Sequence, residues 1–322
     1  MLYNTNILGY IGSENNKNHK RDNLVIWDEQ QKKILSELRF SENILNFKLR
    51  RDKIIVICLN KIYVFNLETF QTVDIIKTGE NTNSIIGVNY SLEKTILAYP
   101  SKNRGKIQIK NYNKSKDILV DAHEKKIAIV TLTYNGDLMA SATEMGTIIR
   151  IFDTNNGSLL KEVRRGKEKA LIKYICFDES NILMAASSTR GTVHIWSVAS
   201  NLKSNGENEK AKDKDNKIEL SEKQENEEIK KIQNRKSFLS LIPNLFGDFF
   251  NSEWSFAQVR IKDTNTICCF GDDNTIIIVG INGIYYKAKI PIEKGGDCQI
   301  IQEQKFWKKF LLYHYNYKKY SL

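Results

Sequence analysis

No run of roughly 18 or more uncharged apolar residues occurs in the chain, so nothing in it is built to span a bilayer as a helix. The first six residues, Met1 to Asn6, lack the basic and apolar regions of a secretory signal. Cysteine is sparse and odd in number: Cys58, Cys176, Cys268, Cys269 and Cys298. None forms a C-x-x-C pair, and none joins a histidine at metal-binding spacing. Each sits among strand-like apolar residues, which predicts small buried hydrophobes in a reducing, cytosolic setting. The four histidines, His19, His123, His194 and His314, are too dispersed for a metal motif. There is no G-x-S-x-G, no H-E-x-x-H and no Walker loop. These absences predict a protein that is not an enzyme and carries neither metal nor cofactor. Only 3 prolines occur in 322 residues, beside abundant Asn, Lys and Ile, the imprint of a coding bias on an ordinary globular composition.

What is present is a repeat. Short β-rich runs bounded by Gly, Asn and Asp dominate, and many close on Asp, Asn or Ser. The endings are Val25-Ile26-Trp27-Asp28, Tyr63-Val64-Phe65-Asn66, Ile107-Gln108-Ile109-Lys110-Asn111, Ile149-Arg150-Ile151-Phe152-Asp153 and Val193-His194-Ile195-Trp196-Ser197. Their closing residues are 38, 45, 42 and 44 positions apart, close to the roughly 40–45 residues of a four-stranded propeller blade. Two blades share an internal order: Leu138–Ala142 leads through Gly146-Thr147, and Leu183–Ser188 through Gly191-Thr192. The prediction is an all-β, WD-repeat-like β-propeller forming a single domain over residues 1–322. The next comparable strand, Gly283–Lys287, comes about twice the period later. An insertion over 199–252 explains the gap.

The insertion has two parts. Residues 201–236 hold ten basic and nine acidic residues and few apolar ones, a composition that predicts disorder. The chain's net charge of +11 therefore lies mostly outside it; that excess suits an anionic partner or plain solubility. Across 238–250, Phe238, Leu241, Ile242, Leu245, Phe246, Phe249 and Phe250 recur at helical spacing. Pro243 and Gly247 weaken that helix and confine it to 243–250. An apolar stripe on a flexible, basic tether is how an interfacial membrane anchor is built; packing against the propeller or binding a partner is the alternative. The tail from Lys305 to Tyr320 mixes five lysines with aromatic residues. Its plain reading is that Phe306 to Tyr315 completes the last blade.

Between the two best blades stands Arg164-Arg165-Gly166. Adjacent residues of an extended strand point to opposite sides, so the two arginines serve two separate pockets. Each guanidinium can grip a phosphate bidentately, as lysine cannot. Taken alone, such a triplet among 49 basic residues marks a solvated turn. Thr147 and Thr192 simply start strands on that view, His194 packs, and Arg150 pairs with a carboxylate such as Glu144.

Val163-Arg164-Arg165-Gly166 resembles the Phe/Leu-Arg-Arg-Gly signature of the PROPPIN (WIPI) family, seven-bladed propellers that bind phosphatidylinositol 3-phosphate and the 3,5-bisphosphate in autophagy. Ile26–Asp28, Leu49–Ile54, Asn60–Phe65, Ala122–Glu124, Gly146–Asp153, Gly191–Ile195 and Ser252–Ala257 resemble family segments as well, so the likeness covers nearly the whole chain. It implies a first headgroup pocket of Arg164 with His123, Ser141, Thr143, Thr147 and Arg150. It implies a second of Arg165 with Ser187, Ser188, Arg190, Thr192 and His194. The insertion then corresponds to the family's membrane-entering loop. Three departures stand out. Val163 replaces an aromatic or leucine, and Thr189-Arg190 stands where Asp-Lys is frequent. Leu2 to Gly12 already resembles the second blade, so about six blades are expected, with the first missing from an incomplete gene model. The function implied is that of a monomeric phosphoinositide effector. It is cytoplasmic, recruited peripherally to autophagosomal, endosomal or related membranes, and an adaptor for autophagy proteins such as a lipid-transfer partner. A soluble protein-interaction scaffold without lipid specificity is the alternative. Nucleic acid is not expected, since charge alone suggests it.

Overall fold

The computed structural model describes residues 5–13, 20–114, 117–198, 232–236 and 253–305. Every regular element among them is a β-strand, and the strands form six sheets of three to five. The chain divides into two compact units, Met1–Gly136 and Asp137–Leu322.

The first unit opens with β1 (Ile7–Ile11), β2 (Asn23–Asp28) and β3 (Lys33–Arg39), paired in that order. Next come β4 (Asn46–Leu49), β5 (Lys53–Ile57), β6 (Lys61–Asn66) and β7 (Thr72–Lys77), again in sequence order. The third sheet holds β8 (Gly87–Val88), β9 (Ile96–Pro100), β10 (Lys106–Asn111) and β11 (Ile118–Asp121), and β12 (Ile127–Leu132) follows. Strand β5 shows why the sheets stack. Ile54, Ile55, Val56 and Ile57 are all fully buried, the mark of a strand covered on both faces. Ile54 and Val56 pack with Leu24 and Ile26 of the preceding sheet. Ile55 and Ile57 pack with Val88 and Leu97 of the following one. Period-two alternation thus sends one strand into two cores.

The recurrent closing residue has a physical cause. Asp28 Oδ1 accepts hydrogen bonds from Gln30 N and Gln31 N, both at 2.9 Å. Asn66 Oδ1 accepts from Glu68 N at 2.8 Å and Thr69 N at 2.9 Å. Asn111 and Asp153 do the same toward Asn113 and Asn155. A short side-chain acceptor placed where each strand ends ties down the turn to the next.

In the second unit β13 (Leu138–Thr143), β14 (Ile148–Asp153) and β15 (Leu159–Arg164) pair antiparallel, and β19 (Glu253–Trp254) adds in parallel beside β15. The next sheet runs β16 (Ile172–Phe177), β17 (Leu183–Ser188), β18 (Thr192–Ser197), β20 (Ala257–Arg260) and β24 (Gly296–Asp297). The last is β21 (Thr266–Gly271), β22 (Thr275–Gly280), β23 (Ile284–Lys289) and β25 (Gln299–Lys305). Leu183, Ala185, Val193 and Ile195 pack with Ile276, Ile278 and Ala288 between these two sheets.

The insertion lies between β18 and β20, the third and fourth strands of one sheet. Of the charged stretch expected to be disordered, residues 232–236 are described, and they pack onto this sheet. Ile232 is 5% exposed within the core. Asn234 accepts from Ser197 N and donates to Ser197 O, both at 2.8 Å. Ser197, the last of the closing residues, is held by this amide. The apolar stripe 238–250 lies outside the described residues, as does Phe306 to Tyr315. Gln299–Lys305 already fills the fourth-strand place of the last sheet, which corrects the assignment of that place to the tail. The cysteines are all free, but Cys269 is exposed; alternation along β21 turns Cys268 into the core and Cys269 outward.

Candidate anion-binding site

Strand β15 ends in the paired arginines. Arg164 stands across from Ile148 on β14 and from Trp254 on β19. The ladder continues one residue further, with Arg165 N donating to Thr147 O at 2.8 Å. The two side chains therefore leave the strand on opposite faces, and both are buried, at 6% and 7% exposure.

Arg164 shares its face with Ser141, Thr143, Arg150 and Glu162, which the β13–β14–β15 register lines up as neighbours. Burial pushes its guanidinium below the usual range, and the Glu162 carboxylate opposes that push. Arg150 pairs with Glu162 at 2.9 Å rather than with Glu144. The Thr143 hydroxyl accepts from Met145 N at 3.3 Å and so also serves its turn. Thr147 is opposite Arg165, not Arg164, which separates it from the first set. His123 belongs to the first unit, where it is buried and its N–H donates to Gly105 O at 2.9 Å.

Arg165 donates from Nε to Gly146 O at 2.9 Å and from Nη2 to Glu168 O. Both partners are backbone carbonyls, so its charge is held in place without being neutralised by them. Burial, then Arg190, presses its pKa downward. Gly146 makes the contact possible. It sits at φ +59°, and a Cβ there would stand 1.8 Å from Ala170 O.

The neighbouring sheet supplies the rest. In its register His194 faces Ala186 on one side and Gln258 on the other, and Thr192 faces Arg260. Ser188, Thr192, His194 and Arg260 thus share one sheet face. The Ser188 hydroxyl is buried and has no hydrogen-bond partner among the described residues. His194 is oriented by Ser255 Oγ, 3.0 Å from Nδ1, and stacks on Trp196 with ring centroids 5.7 Å apart. Burial, then Arg165, then Arg260 push its pKa down to about 4, so the imidazole is neutral at physiological pH. Ser187 does not belong here. It points to the opposite face, where its hydroxyl donates to Thr266 O at 2.6 Å, because adjacent strand residues cannot share a side. Arg190 is exposed and paired with Glu168. Ser255, Glu168 and Arg260 were missed by sequence reasoning: two lie beyond the insertion, where spacing to the motif carries no signal. The alternation Ala257-Gln258-Val259-Arg260 was the available clue. No cluster of His, Cys, Asp or Glu fit for a metal ion occurs among the described residues.

The same arginine pair and both flanking sheets up to β18 fall within residues 16–214, which match the sequence profile of the PROPPIN family. The chain is a PROPPIN. It is 30% identical to SVP1-like protein 2 of Debaryomyces hansenii, over 97% of this chain and 76% of that protein. It is 28% identical to Autophagy-related protein 18e of Arabidopsis thaliana, over 95% of this chain and 75% of that one. Among solved structures, Kluyveromyces lactis Hsv2 superposes with a TM-score of 0.68 at 21% identity, over 95% of this chain and 85% of that chain. KlAtg21, solved in complex with the coiled coil of AgAtg16, gives 0.71 at 21% identity, over 95% and 84%. The six sheets are blades of the β-propeller fold of these proteins. As a PROPPIN the chain stands with autophagy-related propeller proteins, not with enzymes.

Proposed function

We propose that this PROPPIN is an effector of 3-phosphorylated phosphoinositides, phosphatidylinositol 3-phosphate or the 3,5-bisphosphate, acting as an adaptor in autophagy. The observation that carries the reading is the second set: Arg165, buried and bonded among the described residues only to carbonyls, beside a neutral His194 and the Ser188 hydroxyl, which has no partner among those residues. A buried guanidinium with donors to spare favours a multiply charged oxyanion, and hydroxyl and imidazole groups orient it. Arg164 with Ser141, Thr143 and Arg150 forms the first pocket, weaker in net charge because Glu162 lies among them. The apolar stripe at 238–250 adds membrane contact, and the combined contacts bind cooperatively through effective concentration. The protein is thereby recruited from the cytoplasm to phosphoinositide-bearing membranes. A coiled-coil autophagy protein is a fitting partner, given the complex in which KlAtg21 was solved.

Liposome flotation with the Arg164→Thr/Arg165→Thr double variant tests this. Wild type is expected to float with vesicles containing phosphatidylinositol 3-phosphate, and the double variant to remain at the bottom with an unchanged circular-dichroism spectrum. Equal flotation of the two proteins overturns the reading and leaves a soluble scaffold.

A further inference from the structure

The outer edges of the sheets are not covered alike. In the second unit an added strand runs in parallel along the outer strand, β19 beside β15 and β24 beside β20. In the first unit β7 pairs with β6 on one side and, among the described residues, with no strand on the other. An unpaired edge is a template for one more strand. Beside it, within the same unit, a cleft of about 530 Å³ opens between β7 and the sheet of β8 to β11. Alternation divides the side chains of β7. Asp74 and Ile76 turn to the cleft, where Tyr112 Oη donates to Asp74 at 2.9 Å and Ile76 packs with Leu97 and Tyr99. Val73 and Ile75 turn the other way and are half exposed. The charges at the Asp74 end are unbalanced: Lys110 Nζ lies 3.2 Å from Asp74 and 3.8 Å from Asp117, so two carboxylates share one ammonium. Lys77 and Lys102 line the opposite end, where a Cβ at Gly79 would stand 3.0 Å from Lys102 Cα. Tyr99 points to a ligand independently. It is 5% exposed, lines the cleft in a row with Gln108 and Leu119, and makes no hydrogen bond among the described residues. Burial, then Asp117, then Asp74 hold its pKa above the ordinary range, so the hydroxyl keeps its proton beside those carboxylates.

We infer that the β7 edge and this cleft form a docking site for an extended segment of a partner protein, which adds as a strand and sends an arginine, flanked by apolar residues, into the cleft. A strand laid along β7 directs alternate side chains to the cleft and the intervening ones over Val73 and Ile75. In the cleft a guanidinium can donate to the Asp117 carboxylate and the Tyr99 oxygen together. Lys77 and Lys102 repel it from the other end, which sets the register. The site is separate from the paired arginines, so the inference does not depend on lipid binding. The test is fluorescence polarisation of the full chain with labelled heptapeptides, Ser-Thr-Val-Xaa-Val-Thr-Ser, in which the central residue is Arg, Lys, Gln or Glu. The Arg peptide is expected to bind at least about tenfold more tightly than the Glu peptide, with Lys between them. Asp117→Asn should weaken the Arg peptide about tenfold, and Asp117→Lys should turn the preference toward Glu. Tyr99→Phe removes a hydroxyl with no partner among the described residues, so it should weaken the Arg peptide about threefold with no loss of melting temperature. Amide hydrogen exchange along β7 should slow when the Arg peptide binds. Four peptides of equal affinity, no peptide that binds, or variants that bind as wild type does each overturn the inference. A dimer of the full chain that Val73→Lys splits would assign the edge to a second copy and overturn it too. Liposome flotation of Asp117→Asn should match wild type whatever the peptides do, which keeps this test apart from that of the lipid reading.

Discussion

Gly146, whose carbonyl holds Arg165, and Gly166, which follows Arg165 in the chain, carry opposite steric demands. The first is held at φ +59° with no room for a methyl group, whereas nothing lies within 4 Å of a Cβ built on the second. Gly146→Ala should cost about 2 kcal/mol or more in chemical denaturation, and Gly166→Ala within about 0.5 kcal/mol. The glycine of the Arg-Arg-Gly triplet is thus dispensable to the fold. His194 makes a pH prediction. Its folded pKa of about 4 lies below the unfolded value of about 6.5, so between those values the unfolded chain binds more protons. Stability should fall as pH drops from about 6.5 to about 4, by at most about 3 kcal/mol from this group. His194→Gln should flatten that part of a stability-versus-pH curve, and an unaltered slope would count against the burial described. At this scale the sequence disclosed the two arginines and their divergence, because period-two geometry follows from extended backbone alone. It did not disclose which of Ser187 and Ser188 shares the face of His194, since that parity is set by register with β18.

Among the elements, the apolar runs that became β2, β6, β14 and β18 were plain in the sequence, and the Asp or Asn that ends several strands was visible before its turn-capping role was. Two-residue strands such as β8, β19 and β24 left no trace, because tertiary neighbours rather than local composition create them. Strand β19 is the instructive one. Lys161, 5% exposed, donates to Ser197 O and pairs with Glu253, both at 2.9 Å, while Asn234 donates to Glu253 at 2.6 Å. These contacts fix the returning arm of the insertion beside Arg164. Lys161→Met strands the Glu253 carboxylate and should destabilise the protein by about 2 kcal/mol, whereas Lys161→Met/Glu253→Met should recover most of that. Urea midpoints of the single and double variants decide it, and additive losses would mean the pair is not coupled.

For the whole molecule, the spacing of closing residues was enough to identify blades, because each must bury both faces against its neighbours and so repeats at a near-constant length. It could not show that residues 232–234 pack on the sheet of β18 while β19, at 253–254, pairs with β15 of the neighbouring sheet. The net charge of +11 predicts that vesicle binding weakens as sodium chloride rises from about 50 to about 300 mM, as screening shortens the reach of the surface charges. Headgroup preference should change far less than overall binding. The folded-back segment 232–236 also sets limits on surgery. A short Gly-Ser bridge replacing 199–231 would leave Ile232 and Asn234 in their seats, whereas a graft across the full 199–252 would empty both and unhook the arm that lies beside the arginines. Any trimmed version meant to separate headgroup recognition from membrane entry should therefore be cut on either side of those five residues, never through them.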